Sequence, residues 1–445
     1  MAKKDKMHIG VQAKDPDTVY ILQPIDKRVF AQRDIEDVLE EAEGLARAVE
    51  LDVIQTRVVN YSKINAGSFF GKGTRADVGA EIADLEPALV IINCALSPIQ
   101  QRNLEKEWDT KIIDRTGLIL EIFGARAQTK EGRLQVDLAA LAYQKSRLVR
   151  SWTHLERQRG GSGFMGGPGE RQIELDRRMI ADKIIRLKKE LENVRKTRDL
   201  GRKSRERVPF PIVSLVGYTN AGKSTLFNKI TNADVFAEDL PFATLDPTMR
   251  RVTLPKNQDA ILADTVGFIA DLPTHLVAAF RATLEQITHA DVIVHVIDVS
   301  RKDYMAQKND VIKILNDLGV EYESDDRIIE VYNKVDLLDE DAYAEFSRQH
   351  KVSTIPMALV SAYKGQGIDE LLNQVVEITA KNRQDITFKI DVTDGKAMAW
   401  LYAHGDVLER IDEEEYVELS LRLSAADQEK FQKEFGYNIS SASLG

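Results

Sequence analysis

Gly217-Tyr-Thr-Asn-Ala-Gly-Lys-Ser-Thr225 is the stretch that decides the fold. It fits the pattern G-x-x-x-x-G-K-[ST] in full. The apolar run Pro211-Ile-Val-Ser-Leu-Val216 before it reads as a buried strand, and Leu226-Phe-Asn-Lys-Ile230 after it reads as the first turns of a helix. Strand, glycine loop and helix in that order predict a P-loop. Gly217 and Gly222 let the backbone curl so that its N–H groups face phosphate oxygens, with Tyr218, Thr219, Asn220 and Ala221 filling the loop and Thr225 following it. Lys223 is expected to reach the β- and γ-phosphates as a catalytic group, and the Ser224 hydroxyl to ligate Mg²⁺.

Three further segments select the nucleotide. Asp264-Thr265-Val266-Gly267 ends the strand Ala260-Ile-Leu-Ala263, which places Asp264 for the Mg²⁺ shell and the Gly267 N–H for the γ-phosphate during catalysis. Asn333-Lys334-Val-Asp336 follows the strand Ile328–Tyr332. The Asp336 carboxylate can accept from the N1–H and exocyclic amine of guanine; adenine lacks that amine and would leave a buried acceptor unpaired. Ser361-Ala362, after the strand Met357–Val360, falls where a backbone N–H would meet guanine O6. The four segments in this order predict a GTP/GDP site. A threonine between the P-loop helix and Asp264 must also reach the metal and sense the γ-phosphate. Within Phe242-Ala-Thr-Leu-Asp-Pro-Thr248 the favoured residue is Thr244, with Thr248 as the alternative.

The chain has 445 residues and a net charge of −10, unevenly spread. Lys145 to Arg207 holds 19 Lys and Arg against 9 Asp and Glu. A concentrated basic element in an acidic protein is the footprint of a polyanion binder. Its shape is legible too. Leu134, Leu138, Leu141, Lys145, Leu148, Trp152 and Leu155 recur at heptad spacing, as do Ile180, Ile184, Leu187, Leu191 and Val194. Two such helices flanking the glycine-rich Gly160–Gly169 predict an antiparallel helical hairpin with a finger at its tip. Arg157, Arg159 and Arg171 at the base of that finger are candidate RNA-phosphate contacts.

Ahead of the hairpin, strands at Thr18–Leu22, Thr56–Val59, Leu89–Ile92 and Lys111–Asp114 alternate with helical patterns at Arg33–Val49, Thr74–Asp84 and Pro98–Trp108. That alternation predicts a small, mostly parallel α/β unit. Its Gly71-Lys-Gly73 is either a phosphate cradle at a helix start or, as the better reading, a tight turn. Gly201–Pro211 reads as a linker, and Thr387–Val392, Tyr416–Leu423 and the helical Ala425–Phe435 as a small acidic α+β unit. The expected fold class is α/β: an N-terminal α/β subdomain (1–130), the basic hairpin (131–205), a P-loop GTPase domain (206–383) and a C-terminal α+β domain (384–445).

Composition excludes other classes. Cys94 is the single cysteine, so no intramolecular disulfide can form, and it reads as an inert residue of a buried strand. The longest apolar run, Ala397–Ala403, is far shorter than the about 20 residues of a membrane span. Met1-Ala-Lys-Lys-Asp-Lys has no apolar stretch behind it, so no secretory signal is expected and the cytoplasm is the expected compartment. The heptads are satisfied within one chain, which predicts a monomer.

Val216–Asn228, Phe242–Thr248, Asp264–Ile269 and the stretch from Leu272-Pro to Ala279–Leu284 together resemble the HflX family of translational GTPases. The likeness extends upstream into Asp114-Arg-Thr116, Gln135–Ala139 and Gly166–Glu170, and covers roughly residues 15 to 380. It implies a factor that binds the large ribosomal subunit and, in its GTP state, dissociates stalled or stressed ribosomes, with hydrolysis releasing the factor. It implies that the finger approaches ribosomal RNA. Asn220 stands where related GTPases use an asparagine to bind K⁺, or it only stabilises the loop. Where many GTPases place a water-orienting glutamine this chain has Phe268, so intrinsic hydrolysis is expected to be slow until a partner orders the site. Two rival readings stand beside this one. One is a GTP-regulated, ATP-dependent RNA-remodelling enzyme seated on Gly71-Lys-Gly73. The other is a protein-only switch acting on a protease complex, which leaves the basic hairpin unexplained.

Overall fold

The computed structural model describes residues 17–26, 34–158, 168–205, 210–232, 241–242, 248–270, 287–381 and 383–443. The N-terminal unit runs β1 (Thr18–Asp26), α1 (Ile35–Arg47), β2 (Asp52–Tyr61), α2 (Lys72–Leu85), β3 (Leu89–Ile92), α3 (Pro98–Trp108), β4 (Lys111–Asp114) and α4 (Arg115–Arg126). Its sheet has the order β2-β1-β3-β4 with every pair parallel. Alternation along β1 builds two cores. Val19 and Ile21 pack with Leu45, Leu118 and Phe123, while Tyr20 and Leu22 pack with Val78, Leu104 and Trp108. Helix starts are capped where the sequence supplies an oxygen: Asp34 accepts from Glu36 N–H, Ser97 forms a capping box with Gln100, and Asp114 caps α4. Helix α4 falls outside the sequence pattern because its first six residues, Arg115 to Leu120, are all buried, so no polar face marks its opening turns. Gly71 is the N-cap of α2 with an ordinary φ of −68°, and Cys94 lies just past β3, partly buried.

Helices α5 (Lys130–Gln158) and α6 (Pro168–Arg205) pack on each other. The few residues between them cannot span the about 43 Å that parallel packing of a 29-residue helix would need, so the pair is antiparallel. Leu134 and Leu191 are buried in the seam, and Ile180, Ile184, Leu187 and Val194 are half-buried along it. The second helix runs to Arg205, so the stretch from Gly201 read as linker begins inside it.

The third unit holds β5 (Ile212–Gly217), α7 (Lys223–Thr231), β6 (Thr248–Leu254), β7 (Gln258–Asp264), β8 (Val292–Asp298), α8 (Tyr304–Asp317), β9 (Ile328–Asn333), α9 (Glu340–Val352), β10 (Met357–Val360) and α10 (Ile368–Lys381). Its sheet order is β10-β9-β8-β5-β7-β6, parallel except for the β6–β7 pair. All seven residues of β8 are buried, as a central parallel strand requires. The loop after β5 sits at the carboxyl edge of the sheet, where the chain winds to both sides and ligands bind in open α/β sheets.

The last unit is β11 (Arg383–Asp391), α11 (Gly395–His404), β12 (Asp406–Asp412), β13 (Tyr416–Ser424), α12 (Ala425–Phe435) and β14 (Ile439–Ser443). The antiparallel order β12-β13-β11-β14 makes it a β-α-β-β-α-β ferredoxin-like fold over Phe388, Leu401, Leu419, Leu421 and Phe431. Strand β12 escaped the sequence reading because its mostly exposed, mixed residues lack the apolar alternation of β11 and β13, and β14 because its five residues include three serines.

Candidate functional site

The P-loop owes its course to two close approaches. A Cβ on Gly217 would lie 2.2 Å from the carbonyl oxygen of Val296 in β8, and one on Gly222 would lie 2.3 Å from Asn333 Nδ2. Gly222 also sits at φ +91°, left-handed backbone that glycine adopts without strain. Asn220 takes φ +60° between them. Lys223 folds back under the loop, its ammonium donating to Tyr218 O at 2.7 Å and Gly217 O at 3.2 Å. Burial pushes this ammonium down to about 8, against the opposing pull of Asp264. A polyphosphate beside it would supply the negative charge that the buried cation lacks.

Ser224 and Asp264 converge. The Ser224 hydroxyl donates to Asp264 Oδ2 at 2.7 Å, and Asp264 is fully buried at the end of β7. A hydroxyl and a carboxylate are the hard oxygen donors a divalent cation such as Mg²⁺ takes, so this pair fits the metal role. Thr244 and most of the segment around it lie outside the described residues. Thr248, the alternative, opens β6 half-buried.

Of the Asp264–Gly267 segment, only the ends face the loop. The Thr265 hydroxyl donates to Leu215 O inside the sheet, and Val266 packs into the apolar core. Gly267 lies close against the P-loop: a Cβ there would stand 2.9 Å from Thr219 Cγ2 and 3.2 Å from Lys223 Nζ. Thr219 N–H donates to Phe268 O at 2.7 Å and Phe268 N–H to Gly217 O at 3.0 Å. These bonds continue the β5–β7 pairing past the strand ends. The Phe268 ring is buried in the apolar core with Tyr218 and Val266.

The Asn333–Asp336 segment is braced by its first residue, Asn333. Its Nδ2 donates to Ala221 O at 2.8 Å and its Oδ1 accepts from Ala362 N–H at 3.0 Å. The amide read as the partner of guanine O6 is thus engaged with Asn333. Ser361 is fully buried and shapes the following turn by accepting Lys364 N–H on its hydroxyl. Asp336 is 11% exposed with Lys364 at 3.9 Å, and Lys334 pairs with Asp298 at 2.8 Å. Asp298 and Gly367 were not singled out in the sequence. Asp298 is legible afterwards as the lone carboxylate ending an apolar strand, and Gly367, at φ +75°, would place a Cβ 2.0 Å from Leu359 O.

Tyr218 points away from the loop into the N-terminal unit. Its hydroxyl donates to Glu41 of α1 and accepts from Ala270 N–H at 2.9 Å. Arg115 closes the ring, donating to Glu41 at 2.7 Å and to Ala270 O at 3.2 Å. Phe242 packs edge-to-face on Phe123 of α4 with centroids 4.7 Å apart. The partners Glu41 and Arg115 could not be foreseen, since they lie more than a hundred residues upstream of Tyr218. Of the candidate RNA contacts, Arg157 and Arg171 lie on the backbones of α5 and α6; their side chains, and Arg159 altogether, lie outside the described residues.

Comparison with known proteins accounts for all four units. Family models match residues 36–124 (GTP-binding GTPase N-terminal), 126–205 (GTP-binding GTPase middle region), 212–334 (50S ribosome-binding GTPase) and 347–443 (HflX C-terminal domain). The chain is 44% identical over 411 residues to the GTPase HflX of Magnetococcus marinus, covering 92% of this chain and 93% of that one. It is 39% identical over 405 residues to the GTPase HflX of Escherichia coli, covering 90% and 93%. A GTP-binding protein from Sulfolobus solfataricus, solved with GDP, aligns at 22% identity and a TM-score of 0.42 over 81% of this chain and 99% of that one. With family models over all four units and relatives 44% and 39% identical over nearly its whole length, the chain belongs to the HflX family and is a GTP-binding, GTP-hydrolysing enzyme.

Proposed function

We propose that this GTPase binds the large ribosomal subunit through its basic hairpin and, in the GTP state, dissociates stalled or stressed ribosomes. Hydrolysis then releases the factor, because nucleotide can act by differential affinity for two states. The observation that carries the reading is the charge of the hairpin, 19 Lys and Arg against 9 Asp and Glu from Lys145 to Arg207 in an acidic chain. The match to a family model described as a 50S ribosome-binding GTPase supports the same partner. Arg157, Arg159 and Arg171 are the residues assigned to ribosomal RNA, as phosphate partners at the base of the finger.

In this reading Ser224, Asp264 and Thr244 hold Mg²⁺, which when bound neutralises charge on the phosphates. Asn220 takes a K⁺ ion beside them. Lys223 and the Gly267 N–H bind the γ-phosphate, and the ring of Phe268 orients no water. The factor works as a monomer in the cytoplasm. Among the described residues no helix is long and apolar enough to cross a membrane.

The test is GTP turnover by the purified protein with and without purified large subunits, in K⁺ and in Na⁺ buffers. A rise of about tenfold with subunits, about 1.4 kcal/mol off the barrier, supports the reading. That rise should disappear when Arg157, Arg159 and Arg171 are all replaced by Glu. No stimulation, or stimulation that survives the triple replacement, would remove the hairpin–ribosome assignment. Equal rates in the two salts would remove K⁺.

A further inference from the structure

We propose that Asp114 and Arg115, consecutive residues at the carboxyl edge of the N-terminal sheet, couple the helical hairpin to the segment that follows Asp264-Thr-Val-Gly267. The two side chains serve opposite neighbours. Asp114 is 1% exposed and its carboxylate meets four donors. Oδ2 accepts from Leu96 N–H at 3.1 Å and Arg147 at 2.8 Å; Oδ1 accepts from Gly117 N–H at 2.8 Å and from the Tyr143 hydroxyl. Tyr143 and Arg147 belong to α5, and the guanidinium of Arg147 also stacks over the Tyr143 ring. One half of the junction therefore grips the hairpin, with every carboxylate acceptor in use.

The other half grips the nucleotide loop. Arg115 donates to Asn93 at 2.8 Å, to Glu41 at 2.7 Å and to Ala270 O at 3.2 Å. Glu41 accepts from Tyr218, and the Tyr218 hydroxyl accepts from Ala270 N–H. The Ala270 carbonyl is thus held by the N-terminal unit directly and its N–H through Tyr218, whose hydroxyl Glu41 holds, three residues after Gly267. The strand order β2-β1-β3-β4 puts the switch point between β1 and β3, and Asn93 stands just beyond the end of β3. In an open α/β sheet that crevice receives the ligand. Here it receives the GTPase domain's own chain.

Arg115 also opens α4, whose Phe123 packs on Phe242, two residues before Thr244. A shift of the hairpin against Asp114 must move the cap of α4, and with it Arg115 and Phe123. Buried charge networks and packed cores switch between arrangements in preference to deforming smoothly. The groups at the far end are Thr219 N–H, bonded to Phe268 O, and Gly267 beside Lys223. These are the positions a γ-phosphate would contact. By linkage, whatever moves the hairpin changes the preference for triphosphate over diphosphate, and the nucleotide changes the hairpin by the same factor.

The test uses the full chain alone, without RNA, and measures affinities for fluorescent GDP and for a fluorescent non-hydrolysable GTP analogue. Tyr143→Phe removes one hydroxyl on the hairpin side and Tyr218→Phe one on the loop side. Tyr143→Phe should shift the ratio of the two affinities by about threefold or more, and should leave it unshifted in the Tyr218→Phe background. An unshifted ratio in Tyr143→Phe, with a lowered Tm showing that the bond was lost, overturns the coupling. So does an equal shift in both backgrounds, because the influence would then bypass the ring of Tyr218, Glu41, Arg115 and Ala270. Should Tyr143→Phe not fold, Arg147→Gln removes the neighbouring donor and is read the same way. Large-subunit binding is measured separately, so a failure here leaves the ribosome reading standing, and the reverse.

Discussion

Gly222 and Asn333 touch so closely that a single methyl group on the glycine would lie 2.3 Å from the asparagine amide. The contact joins the P-loop to the Asn333–Asp336 segment, because the same amide donates to Ala221 O. A change at Gly222 is therefore felt at Asn333 as well.

Gly222→Ala should therefore lose nucleotide at both ends together. The new Cβ meets Asn333 and the φ of +91° is strained for alanine. Affinity for both GDP and GTP should fall by about a hundredfold or more, about 2.7 kcal/mol, in a fluorescent-nucleotide titration. Unchanged GDP binding would show that the loop relaxes around the methyl group.

Asp336→Asn should exchange the base, not abolish the site. An amide offers a donor where the carboxylate offered two acceptors, which suits a carbonyl at the purine 2-position in place of an amine. GTP affinity should drop by about 10²–10³, and xanthosine triphosphate should become the better ligand. Equal weakening of both nucleotides would place Asp336 outside the base pocket.

Phe268→Gln should not restore a water-orienting glutamine. The Phe268 ring is 2% exposed inside the core shared with the N-terminal unit. Burying an amide there costs about 1–3 kcal/mol. A lowered Tm with turnover unchanged or reduced is expected; a tenfold rise in basal turnover would show that the side chain reaches the phosphates.

Acid should weaken the GTPase domain through His295. Its ring is buried in β8, with Nδ1 2.7 Å from the Tyr322 hydroxyl, which in turn donates to Glu330 at 2.9 Å. Tyr332 and Lys308 complete the cluster around Glu330. Burial, with the charges of Lys308 and Lys223 adding to it, pushes the imidazole down to about 3. The unfolded chain protonates this residue near its ordinary value of about 6.5, so below that pH the unfolded state binds more protons. Stability is complete above about pH 6.5 and falls toward pH 3. Between about pH 7.5 and about pH 5.5 the loss is about 1.4 kcal/mol for this one group. Urea midpoints of His295→Asn should fall less over that interval than those of the parent chain; parallel curves would assign the acid sensitivity elsewhere.

Local patterns in the chain were enough to determine the P-loop, the order of the nucleotide segments, the four parallel strands of the N-terminal sheet and the helical pair that buries Leu134 and Leu191. Each of these writes its geometry into a period or a spacing of a few residues, because strands, helices and glycine turns are made by neighbours along the chain. The first turns of α4 and the whole of β8 were missed for the converse reason: a segment buried on every side carries no alternation to read.

Only the tertiary structure decided that Tyr218 turns its hydroxyl out of the P-loop to Glu41, that Arg115 holds Ala270, and that Asp114 beside it holds Tyr143 and Arg147. Those bonds join residues far apart in sequence. Their geometry follows from how two sheets and a hairpin pack, and no spacing within either partner's own segment encodes where the other will stand.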